Sequence, residues 1–173
     1  MTMTMTIDEI VSQRNAAVAA HESGHAVVAR SLGVDVVRAS AKLRAAGVVT
    51  RWRRADRLVG DIMRKSCLVA LAGPAAEAVA IGRIEDGAAR ADERNAMSYA
   101  LRLLLDEQDV QNDAELNDDH RAQARALVGL LRARAAALVA DNWPAILATA
   151  AALADGQILT GSEVDALMAE EKP

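Results

Sequence analysis

The stretch VAAHESGHAVVA, residues 18–29, constrains this chain more than any other. It places His21 and His25 four residues apart with Glu22 beside the first. On an α-helix two such histidines are separated by about 40° around the axis and about 6 Å along it, so both imidazoles reach one metal ion from the same face. Glu22 is then the neighbour that can hold and deprotonate a metal-activated water. The flanking residues favour a helix. Thr6 and Glu9 have the form of a capping box, and Gly33 is a natural stop. Between them Ile7, Ile10, Ala17, His21, His25, Val28 and Leu32 recur at three- and four-residue intervals, which puts both histidines on the apolar stripe, facing the core. Ser23 and Gly24 leave room for a closely packed second element. The competing reading is a pair of core histidines bonded to the backbone, or a chance match to a five-residue pattern.

The rest of the composition narrows the function classes. A chain of 173 residues is long enough for one domain, 1–173, with a real core. A net charge of -4 argues against a general nucleic-acid binder, and 2% aromatic residues with no Phe leave few platforms for base stacking. The single cysteine, Cys67, allows neither an internal disulfide nor a zinc–thiolate cluster and is expected to be buried packing. The start MTMTMT has neither a basic nor an apolar leader region. Uncharged runs such as 142–154 fall short of the roughly 20 residues of a membrane span. A cytoplasmic protein without membrane insertion is expected.

Past Gly33, residues 34–40 and 47–52 are rich in β-branched residues and predict a small sheet of two or three strands beside the first helix. Arg51, Arg53, Arg54 and Arg57 around Trp52 form either a solvated rim or a surface for an acidic partner. Residues 56–82 return to a helical pattern, with a kink or break expected at Pro74, which lacks the N–H that would bond back to Ala70. Glu77 stands in an apolar segment and either points outward or needs a partner, as a ligand or as a group that orients one. A third helix is expected from Asp92 to about Glu107, where Asp92 itself is ordinarily explained as a cap. An exposed acidic loop over 106–119 leads to a long helical stretch from His120, interrupted near Trp143-Pro144. His120 reads as a surface or packing residue. Thr160 and Glu163 form a capping box opening a short last helix.

Taken in order, the blocks HESGHAVVA, LAGPAAEAVAIG, GAARADERNAMSYA and LVADNWPAILATAAALADGQILTGSEV resemble the peptidase domain of the FtsH-type ATP-dependent zinc proteases over residues 17–168. The resemblance implies a mainly α (α+β) metallopeptidase fold holding one Zn2+ per chain through His21, His25 and Asp92, with Glu22 as general base. Glu77 is the next candidate for the third ligand. The chain departs from the family in carrying Pro74 where the family has Arg, and in one extra residue between Gly87 and Asp92. No phosphate loop of the form G-x-x-x-x-G-K-[ST] occurs, nor a membrane anchor. The implied activity is an endopeptidase that acts on unfolded or loosely folded protein or peptide substrates, ATP-independent by itself. A separate ATPase could deliver substrate, and homo-oligomeric rings are the family's habit. The alternatives are a non-catalytic, metal-stabilised regulatory module, or a protease dedicated to one regulatory partner.

Overall fold

Helix α1 (Ile7–Ser31) packs against most of the elements that follow it. The computed structural model describes residues 7–42, 46–51, 59–84, 86–107 and 117–171; Thr6, Trp52, Arg53, Arg54, Arg57 and most of the expected acidic loop lie outside them. Gly33 ends α1 as expected. At φ +75 it lets its own N–H bond to Arg30 and that of Val34 to Ala29, a pairing that satisfies the last carbonyls of the helix.

The chain then forms β1 (Asp35–Ser40) and β2 (Gly47–Arg51), antiparallel with a register shift between Val36 and Arg38. Four helices follow: α2 (Val59–Ile81), α3 (Asp86–Glu107), α4 (Asp118–Asp141) and α5 (Trp143–Ala154). The two-residue β3 (Ile158–Leu159) then pairs antiparallel with β1, and α6 (Gly161–Glu170) closes the described chain. The sheet order is β2-β1-β3, so the architecture is mainly helical with a small three-stranded antiparallel sheet.

Alanine dictates how closely these helices approach. Ala26, Ala29, Ala72, Ala76, Ala96 and Ala100 are all essentially inaccessible and belong to one core with Val27, Val28, Ile146 and Leu153. Gly24 carries this furthest. A Cβ there would lie 2.6 Å from both the Ala72 carbonyl oxygen and the Ala76 Cβ, so α1 and α2 meet at backbone contact. The side chain between the histidines is absent because a neighbouring helix occupies its space.

Two expectations need correction. The break allowed for at Pro74 does not occur: α2 continues through it as one helix, and Pro74 is buried among the apolar residues that bind α2 to its neighbours. Tertiary packing there outweighs one lost backbone hydrogen bond. α3 begins at Asp86, not Asp92, so Asp92 lies two turns inside the helix and caps nothing. α4 and α5 meet at Asn142 with a bend of 78°, matching the interruption expected near Trp143-Pro144. Among the described residues no single helix is long and apolar enough to cross a membrane, although that bent pair passes the same test of length and composition together. Both of its helices give side chains to the core.

Candidate metal centre

Three helices converge on the H-E-x-x-H turn. α1 supplies His21 and His25, whose rings meet edge to face with centroids 4.8 Å apart. α3 supplies Asp92, whose Oδ2 lies 2.8 Å from His21 Nε2 and 3.4 Å from His25 Nε2. One ligand atom from each of the three residues falls within 4.8 Å of the others. α2 supplies what orients them. Glu77, 2% exposed, puts Oε2 2.9 Å from His21 Nδ1, and the Val69 carbonyl accepts a hydrogen bond from His25 Nδ1 at 2.7 Å. Each imidazole is therefore held at its far nitrogen, which orients the ring with Nε2 turned inward.

The charges follow from this packing. Burial works to depress the pKa of His21, but its two carboxylate partners, Asp92 and Glu77, overcome that and raise it. Flanked by two carboxyl groups, the ring is shifted toward its protonated form, which can donate from both nitrogens. Burial pushes Asp92 upward, yet the hydrogen bonds from His21 and His25 hold its carboxyl at about 2. The site thus favours positive charge at His21 Nε2, a preference that a metal cation would also satisfy while the His21 contact to Glu77 persists.

Glu22 is 8% exposed, and loss of solvent raises its pKa, a condition suited to a group that must take up and release a proton near neutrality. It borders two cavities that share His21, Glu22 and Ala88. The larger, about 330 Å³, runs along the His25 side between β2 and α3, past Val48, Thr50, Val69, Asn95 and Tyr99. The smaller, about 190 Å³, lies toward Arg14 and Glu77. Glu22 thus lines open space on two sides, and the larger cavity is the groove beside the histidines and Asp92.

The residues present suit a divalent ion. Two imidazoles from α1 and one carboxylate from α3 could act as a three-ligand set, which would leave a position for a reactant. The space between them is kept open by Gly73, where a Cβ would fall 2.3 Å from His25 Nε2 and 2.8 Å from His21 Nε2. His21, Glu22, His25 and Asp92 are brought together as the sequence suggests. Glu77 is also there, bonded behind His21 instead of facing the ligand atoms. The expected burial of Cys67 is observed, and burial pushes its thiol up to about 11. His120 is far from the centre in role: with Asn117 it forms the capping box of α4. Of the basic cluster only Arg51 is described, and it is exposed. Sequence reasoning gave no function to Gly73 or to the Val69 carbonyl. The one available signal was a Gly-Pro pair inside an apolar helix, which suggested a break.

No protein-family model matches the chain, and no curated protein matches it.

Proposed function

We propose that this protein is a zinc-dependent metalloendopeptidase, with His21, His25 and Asp92 as ligands of one ion and Glu22 as general base. The observation that carries the reading is the meeting of Asp92 Oδ2 with both imidazole Nε2 atoms beside a buried, solvent-starved Glu22. The ordered sequence blocks that resemble FtsH-type peptidase domains support it independently, because they single out the same four residues. Nitrogen and carboxylate donors in a three-ligand set favour zinc.

An ion held there supplies Lewis acidity, which makes a water acidic near neutral pH and polarises a carbonyl. The chain's own groups do the rest. Glu77 and the Val69 carbonyl hold the imidazoles in place. Glu22 accepts the proton of the attacking water and delivers it to the amine nitrogen as the C–N bond breaks. Among the described residues β2 pairs only with β1, and Val48 and Thr50 on β2 line the groove. An extended peptide laid along that edge would find backbone partners, which favours unfolded or loosely folded chains as substrates. A cytoplasmic location belongs to the same proposal and rests on the sequence alone.

The test is metal stoichiometry and casein cleavage on one preparation, for wild type, His25→Ala, Asp92→Ala and Glu22→Gln. The expected result is one zinc per chain, lost in the two ligand variants and retained in Glu22→Gln with cleavage reduced about 10²–10⁴-fold. Wild-type protein that takes up no metal when zinc is supplied would overturn the reading.

A further inference from the structure

The single tyrosine of the chain lies in the groove, and its position on α3 is not arbitrary. Tyr99 follows Asp92 by seven residues, which places it within about 20° of Asp92 around the helix axis and about 10 Å further along. Ala88, Asp92, Asn95 and Tyr99 form one stripe lining the larger cavity. The neighbours of α3 fix which end of the centre this is. Cys67 on α2 reaches the Ala96 carbonyl at 3.6 Å, and a Cβ on Gly60 would touch Leu103, so the two helices are antiparallel. Val69, which holds His25, is therefore at the same end as Tyr99. Helical side chains favour leaning back toward the N-terminus, which at Tyr99 is the direction of Asp92 and the His25 side of the centre. The ring is half-buried against the core, and no hydrogen bond holds its hydroxyl elsewhere among the described residues.

We propose that Tyr99 is a further catalytic residue, the donor that stabilises the oxyanion during peptide hydrolysis; this rests on the metallopeptidase reading above. As the water oxygen bonds to the scissile carbonyl carbon, the π pair moves onto the carbonyl oxygen and Glu22 takes the water's proton. The Tyr99 hydroxyl donates a hydrogen bond to that oxygen and keeps its own proton throughout. When the pair returns, the C–N bond breaks and the proton on Glu22 passes to the departing nitrogen. Thr50, Ser66 and Asn95 also line the cavity. A phenol is the most acidic neutral donor among them and gains most from a developing negative charge.

The experiment compares wild type with Tyr99→Phe, which keeps the ring and its packing. Expected are unchanged zinc content and melting temperature, kcat lower by about 10²-fold, and KM within about twofold. Binding of a phosphinic peptide, a tetrahedral mimic followed by calorimetry on the zinc-loaded protein, should weaken by a similar factor without any turnover. Unchanged kcat, a change in KM alone, or unchanged phosphinate affinity would overturn the proposal. Because the chain has one tyrosine, feeding fluorinated tyrosines alters this position and no other. If the Phe variant folds poorly, kcat that tracks the acidity of the fluorophenol at constant KM supports the role, and kcat indifferent to it removes it. Wild-type protein that binds zinc but cleaves nothing would instead defeat the peptidase reading itself, and this role with it.

Discussion

Helix α1 carries two charge clusters little more than one turn apart, and they follow different physics. At His21–His25 both imidazoles are buried, and each is fixed by a named partner from α2 or α3. At Arg30 the guanidinium grips Asp165 on α6 with two nitrogens and reaches Asp35 at 3.0 Å, with the Asp165 side chain 47% exposed. Both clusters are complete by a count of contacts. Solvent screens the second, so it tethers α6 to α1 at little energetic consequence. The first lacks that screening, so its geometry controls what can bind. The difference teaches that the contrast lies in burial rather than in the number of ion pairs.

The sharpest way to break the comparison is to disturb the buried cluster without touching a charge. Gly73→Ala puts a methyl group at the inward nitrogens, and zinc affinity should fall more than about 100-fold while far-ultraviolet circular dichroism stays close to wild type. Metal bound as tightly as before would show that the pocket gives way. Next in size is Glu77→Gln, which keeps the shape and removes the charge behind His21; a loss of about 10- to 100-fold in zinc affinity is expected by competition with a chromophoric chelator.

Proton linkage separates the clusters as well. In chelator-stripped protein Asp92 sits at about 2 against an ordinary 3.8, so its contribution to stability is present above pH 4 and lost as pH falls through 2. His21 is raised above 6.5, so its contribution is present below that value and lost as pH rises past its folded pKa. Stability of the stripped protein should therefore peak between about pH 4 and 6.5, whereas zinc binding strengthens with rising pH as protons leave the imidazoles. Denaturant melts across pH, with and without zinc, check both halves; a stripped protein most stable at pH 8 contradicts the assignment. The smallest effect belongs to the exposed cluster. Arg30→Met should cost no more than about 1 kcal/mol, shrinking in high salt, with zinc affinity unchanged.

How much of this was legible in the sequence depends on the residue. The burial and register of the histidines followed from the apolar period of α1, and the room for a second helix followed from Ser23 and Gly24. Asp92 was visible through the resemblance alone. Residues 86–91, DGAARA, carry no large apolar side chain, so the helix seemed to start at Asp92 and the carboxylate looked like a cap. Pro74 misled for a related reason: a local rule was applied where packing against three helices decides the outcome. β3 has two residues and exists only because β1 offers an edge, a long-range pairing that no local pattern encodes. Glu77 stood out by its apolar company, and it is buried against His21, but only the antiparallel packing of α1 and α2 reveals which group it meets.

The proposed ligand atoms of His21 and Asp92 come from positions 71 residues apart in the chain, on helices that never neighbour one another in sequence. An ion bridging them would be a removable staple. It would close a loop of about 70 residues, a constraint that in a covalent bridge of that length is worth about 4 kcal/mol through the unfolded chain. Release of the ion and loosening of the α1–α3 framework would then be one event, and the protein would carry its own gauge of metal supply in how readily it unfolds.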